Sequence, residues 1–156
     1  MTARARIAAM GLGAALSMVA GFEGLRTVAY LDPAQIWTIC YGHIKDVRAG
    51  DVKSPAECEG LLAEEFLAAV SHVDRCAPVP LTPNQRGALA SAVYNLGPSL
   101  VCDPKRSTLA RRLRAGDIVG ACHQLTRWVK ARVLGVLVPL PGLIRRREAE
   151  RAMCLA

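Results

Sequence analysis

In the stretch EGLRTVAYLDPAQIWTICYGH, residues 23–43, two carboxylic acids and a hydroxyl fall at Glu23, Asp32 and Thr38, with eight and then five residues between them. Hydrolysis of a glycosidic bond asks for such a set. One carboxyl stays protonated to donate to the leaving oxygen, while a second stays ionised to activate water or to stabilise the positive charge that develops on the sugar. Glu23 suits the acid role because it follows a long apolar run, and an apolar surround favours the neutral form of a carboxyl. Asp32 sits at a polar turn before Pro33, where solvent and backbone N–H groups favour the ionised form. Thr38 carries a hydroxyl that can orient a water against Asp32, since it both donates and accepts. Taken singly, each has an ordinary structural explanation: Asp before Pro is common in turns, Thr is a good strand former, and Glu before Gly is common at surfaces. Their joint spacing is what points to a site.

Something must hold the three together. Ala29–Leu31 and Ile36–Tyr41 read as short strands of β-branched and aromatic residues around the turn at Asp32-Pro33-Ala34-Gln35. From Ser54 the pattern turns helical. Ser54-Pro55-Ala56-Glu57 is a capping box with proline at the first helical position, and apolar residues from Cys58 to Val73 recur at three and four. That helix must end before Ala77-Pro78. Thr82-Pro83-Asn84-Gln85 starts another, which Gly97-Pro98 stops. Ser107 opens a short helix that ends at Gly116, and Asp117 caps one running through Leu125 and Trp128. A loop with Pro139 and Pro141 follows, then a last helix from about Gly142 that directs Leu143, Ile144, Ala149 and Met153 inward. The pattern predicts a mixed α+β chain: a helix, a small sheet, then a helical part.

The whole chain narrows the choice of partner. Its 156 residues suit one domain with a substantial core, and 52% hydrophobic with 21% charged residues excludes large-scale disorder. A formal net charge of +7 raises nucleic acid as a partner, yet only 4% of residues are aromatic and the arginines are scattered, so no stacking platform exists. No nucleic acid is expected. The charge suits other polyanions, including phosphorylated glycolipids and the carboxylate-bearing peptides of a bacterial wall. Phosphate-loop, dinucleotide and Gly-x-Ser-x-Gly motifs are absent, which argues against cofactors. Six cysteines without a CxxC or the paired spacing of a zinc site predict disulfides in an oxidising compartment rather than a metal. Their pairing stays open.

Arg4 and Arg6 precede an uncharged run from Ile7 to Phe22. As one helix it would span roughly 24 Å, a little short of a bilayer core of roughly 30 Å. Its Ala and Gly content makes insertion weak, and the arginines would keep its start cytoplasmic. A cleaved signal peptide and a buried first helix are the other readings. A weak membrane segment kept in the mature chain is favoured, because the run offers no polar face.

Phe22-Glu23-Gly24-Leu25-Arg26, Ala29-Tyr30-Leu31-Asp32-Pro33 and Trp37-Thr38-Ile39-Cys40-Tyr41-Gly42-His43 together resemble the catalytic signature of phage-type lysozymes, the glycoside hydrolase family 24 endolysins. Similar matches run through Thr82–Leu89, Tyr94–Gly97, Ser107–Leu109 and Pro141–Leu143, so the resemblance covers residues 22–156. It implies a lysozyme-like α+β fold, with a small β-sheet lobe, a larger helical lobe and a cleft between them. It also implies a muramidase that cleaves the β-1,4 bond between N-acetylmuramic acid and N-acetylglucosamine in peptidoglycan, as a monomer and without metal or cofactor. Carried over, Glu23 is the general acid, Asp32 activates water and Thr38 positions it. Ile44, Tyr94, Asn95 and Ser107 become candidate glycan contacts, while Gly42 and His43 read as a backbone and packing requirement. Residues 1–22 resemble the signal-arrest-release segments of some endolysins, leaving 23–156 as the catalytic domain. The expected location is the host periplasm, with an initial tether to the inner membrane. The chain departs from the simplest family members at two places: the N-terminal run, and Val129–Pro139, which is more apolar and less glycine-rich than the usual loop. A lytic transglycosylase, or a non-catalytic cationic protein that binds the wall or permeabilises membranes, are the alternatives.

Overall fold

A computed structural model describes residues 1–156. It contains eight α-helices, one 3-10 turn and two separate two-stranded antiparallel sheets. The chain divides into two compact units, Met1–Leu67 and Ala68–Ala156.

The first unit opens with α1 (Ala3–Ala9) and α2 (Gly13–Glu23). The apolar run is therefore not one continuous helix. Gly11, at φ 71°, breaks it, and the Met10 and Gly11 N–H groups close α1 on the carbonyls of Arg6 and Ala8. Ile7, Leu12, Ala15, Leu16 and Val19 are buried, so the run has an inward face that a search for polar residues could not reveal. Arg4 pairs with Glu59. No helix is long and apolar enough to cross a membrane.

The strands β1 (Arg26–Leu31) and β2 (Trp37–Cys40) pair antiparallel, with Leu31 opposite Trp37, Tyr30 opposite Thr38 and an irregularity toward Arg26. A third segment lies along β1: Ala29 N–H donates to the Asp51 carbonyl and Lys53 N–H to that of Thr27. Behind the sheet, Ile39 and Cys40 pack with Cys58, and Cys40 and Cys58 form a disulfide. This ties β2 to the start of α3 (Pro55–Cys76), whose capping box forms as its sequence predicts. Ser54 N–H donates to Glu57 Oε2 at 2.7 Å, and Glu57 N–H donates back to Ser54 Oγ at 3.2 Å. The Ser54 N–H and hydroxyl hold the Glu57 carboxyl below its ordinary range.

The second unit is built on α4 (Pro83–Leu96), opened by the Thr82/Gln85 capping box and closed at Gly97. A four-residue helix, α5 (Ser99–Cys102), follows; Pro98 masked it in the sequence. Next come α6 (Thr108–Arg114), capped by Ser107, and α7 (Ile118–Gln124), capped by Asp117. Gly120 N–H and then Arg112 hold the Asp117 carboxyl below its usual range. α7 is shorter than predicted, because the chain tightens to a 3-10 turn at Leu125–Arg127 and Trp128 lies beyond it. Disulfides Cys76–Cys102 and Cys122–Cys154 complete the set of three, leaving no free cysteine.

Two findings correct the sequence reading here. Val129–Pro139 is not a loop, since Lys130–Val133 and Val136–Pro139 form a hairpin, β3 and β4. The last helix, α8 (Pro141–Leu155), does not bury chiefly its apolar residues either. Ile144 is exposed, and the buried stripe is Arg146, Arg147, Glu150 and Cys154. Glu150 Oε1 accepts from Ser91 Oγ of α4 at 2.7 Å and from Arg147 Nη2 at 2.9 Å, and Arg147 Nε lies 2.7 Å from Oε2. Burial pushes the Glu150 carboxyl up, while Arg147, Ser91 and Arg146 pull the other way.

Candidate active site

Glu23 is the last residue of α2, and Gly24, at φ 72°, turns the chain from helix into β1. The Glu23 carboxylate lies against Gly42. A side chain on Gly42 would place its Cβ 3.2 Å from Glu23 Oε2, and φ there is +82°. Glycine is thus favoured twice, for the backbone and for the space that the carboxylate occupies.

Asp32 directly follows β1 and folds the turn back on itself. Its Oδ1 accepts the Ile36 N–H at 2.8 Å, its own N–H donates to the Ile36 carbonyl at 3.0 Å, and Gln35, at φ 63°, completes the bend. Thr38, only 3% exposed, donates its hydroxyl to the same Ile36 carbonyl at 3.0 Å. One peptide segment at Ile36 therefore orients both side chains. With its proton engaged, the Thr38 hydroxyl is left to accept. Glu23, Asp32 and Thr38 all belong to the first unit, brought into it by a helix end, a turn and a strand.

Of the other sequence candidates, Ile44 is exposed in the first unit, and His43 is held there by Glu65, with Nδ1 2.6 Å from Oε1. Tyr94 and Asn95 lie in the last turn of α4, where Asn95 Oδ1 is buried without a hydrogen-bond partner. Ser107 is buried, and its hydroxyl is used twice, donating to Leu100 O at 2.6 Å and accepting from Ala110 N–H at 3.1 Å. No group of three or more His, Cys, Asp or Glu side chains is arranged to hold a metal ion. The sequence reading missed Ile36, whose contribution is entirely backbone and leaves no mark on residue type.

A helix ending in a glutamate, a small antiparallel sheet with an aspartate at its turn, and a disulfide-braced helical unit define a lysozyme-like α+β protein. The family model described as phage lysozyme matches residues 20–150, and the chain belongs to that family. It is 38% identical over 136 residues to the SAR-endolysin of Enterobacteria phage P21, covering 86% of this chain and 78% of that one. Among solved structures, the muramidase domain of SpmX from Asticaccaulis excentricus superimposes with a TM-score of 0.82 at 32% identity, over 92% of this chain and 96% of that one. P1 phage endolysin Lyz is similar in two forms. Its active form gives a TM-score of 0.76 at 28% identity over 92% of this chain and 83% of that one; its secreted inactive form gives 0.51 at 27% over 71% and 74%. The chain is a lysozyme.

Proposed function

We propose that this lysozyme is an endolysin that breaks peptidoglycan for host cell lysis, hydrolysing the β-1,4 bond between N-acetylmuramic acid and N-acetylglucosamine. The observation that carries the reading is the seating of Glu23 against Gly42, in the same unit as an Asp32 and a Thr38 oriented by one residue, Ile36. Glu23 protonates the leaving oxygen. Asp32, whose Oδ1 is occupied by Ile36 N–H, uses Oδ2 to take a proton from water, and Thr38 accepts the other hydrogen of that water and so aims it. Ile44, Tyr94 and Asn95 contact the glycan, whereas Ser107 acts by capping α6.

Residues 1–22 act as a releasable tether to the inner membrane, with 23–156 as the catalytic domain working in the periplasm as a monomer. The likeness to SAR-endolysins and the three disulfides support that location. The better match to the active form of the P1 endolysin supports the view that the docked arrangement of α1 and α2 belongs to the released enzyme.

Product mass spectrometry on purified peptidoglycan tests the assignment. Wild type should release reducing muropeptides, and Glu23→Gln should release none while melting like wild type, because the amide keeps the shape but has no acidic proton to donate. Full activity in Glu23→Gln would sink the role of Glu23, and 1,6-anhydro products would make the enzyme a transglycosylase.

A further inference from the structure

The β3–β4 hairpin carries a combination that neither its turn nor its packing asks for. Val133 pairs with Val136 across a two-residue turn, Leu134-Gly135, with φ at 49° and 81°. Turns with both central residues at positive φ favour Asn-Gly or Asp-Gly, because a short polar side chain tolerates the left-handed region. Leucine has no such compensation. Leu134 is also 100% exposed, so the strained position gains nothing from burial within the chain.

Its neighbours continue the pattern. Val136 is 61% exposed, Leu137 55% and Val133 45%. Val133 and Val136 are cross-strand partners on one face of the ribbon, while Leu137, opposite Arg132, lies on the other. The apolar surface therefore wraps the tip on both faces. Apolar side chains on both faces of a tip suit the interfacial layer of a bilayer, and nearby cations suit its anionic headgroups. Cations surround the tip: Lys130 is exposed at the base of β3, and Arg132 Nη1 reaches the Gly135 carbonyl at 3.1 Å. From Val129 to Arg147 the sequence contains no Asp or Glu, and the chain as a whole carries a formal net charge of +7.

We propose that the β3–β4 tip inserts Val133, Leu134, Val136 and Leu137 into the interfacial layer of a bilayer that contains anionic lipid, with Lys130 and Arg132 against the headgroup phosphates. Dimensions agree. Two to three residues of strand reach roughly 7–10 Å, which matches the depth of about 5–10 Å at which interfacial segments settle. The contact goes beyond the enzymatic reading and is separate from the N-terminal run. It would hold the released enzyme at the membrane face without a spanning helix.

The test uses the full chain and vesicles of phosphatidylethanolamine with phosphatidylglycerol, beside vesicles of phosphatidylcholine alone. Leu134→Asn suits the turn better than leucine does, so it should melt at the same temperature or higher while partitioning onto the anionic vesicles about tenfold less. In a second variant, Leu134→Trp, the added fluorescence over wild type should shift to the blue with anionic vesicles and less so with phosphatidylcholine. The N-terminal run is unchanged in every protein, so differences between them report the tip alone. Equal sedimentation of wild type and Leu134→Asn, with no spectral shift in Leu134→Trp, would overturn the proposal. So would a matching loss by Leu134→Asn of hydrolysis on soluble glycan fragments, which would make the tip a substrate contact. Conversion of a wild-type dimer to a monomer would overturn it as well, by making the occupant a second copy.

Discussion

The space around Glu23 depends on a residue with no side chain. Gly42 combines φ +82° with a position where a Cβ would stand 3.2 Å from Glu23 Oε2, so Gly42→Ala must displace the carboxylate, twist the backbone, or both. Misplacement of a reacting group by a fraction of an ångström to an ångström costs on the order of tenfold to a hundredfold in rate. Gly42→Ala should therefore lower kcat on peptidoglycan by that much with a smaller change in KM, and steady-state kinetics on a soluble glycan substrate would check it. A kcat equal to wild type would mean that Glu23 is not seated by Gly42. Glu23, Asp32 and Thr38 could be proposed from the sequence because residue type and spacing are what a sequence records. Ile36 was not, because it orients Asp32 and Thr38 through its N–H and carbonyl, which every residue but proline possesses. Ser107 carried two readings in the sequence, helix start and glycan contact, since both ask for the same hydroxyl; the capping bond to Ala110 N–H forms.

At the scale of elements, capping signals were read correctly and burial less well. Ser54, Thr82, Ser107 and Asp117 all stand at helix starts, because a side-chain oxygen that accepts from the first turn is a local device. The hairpin escaped because its turn has Leu where Asn or Asp is expected. α8 escaped for another reason: Arg146, Arg147, Glu150 and Cys154 keep a helical spacing, but three of the four are charged, so a search for apolar periodicity passes over them. Within the second unit they form a buried ion cluster that joins α8 to Ser91 of α4. Removing one member leaves the others buried with incomplete pairing, which costs about 3–5 kcal/mol. Glu150→Ala should destabilise the protein by that amount in denaturant titration, whereas Glu148→Ala on the exposed face should change it by less than about 0.5 kcal/mol. Similar midpoints for the two variants would show that the cluster contributes little.

For the molecule as a whole, the tether proposed above gives the N-terminal run two states, inserted and docked, whose energies can be compared. In a bilayer its few large apolar residues contribute about 0.3–0.6 kcal/mol each, and eight of the sixteen residues from Ile7 to Phe22 are Ala or Gly, which add little. Docked, Ile7, Leu12, Leu16 and Val19 are buried, and each such side chain contributes about 1.5–3 kcal/mol. Once nothing holds Arg4 and Arg6 on the cytoplasmic side, the folded arrangement is the lower in free energy by several kcal/mol. That arrangement also places the proposed acid, since α2 ends at Glu23 and Ala15, Leu16 and Val19 are packed inside. With the run in a bilayer, α2 is withdrawn from that packing and Glu23 is not seated against Gly42. The proposed tether would therefore double as a restraint on catalysis. In cells expressing the full chain, the membrane fraction should have at least about tenfold lower specific activity on peptidoglycan than the soluble fraction, the rate cost expected of a misplaced acid. Collapsing the membrane potential should move protein and activity together into the soluble fraction. Equal specific activity in the two fractions would mean that Glu23 reaches its working position without α2 docked, and the coupling between tether and acid would have to be abandoned.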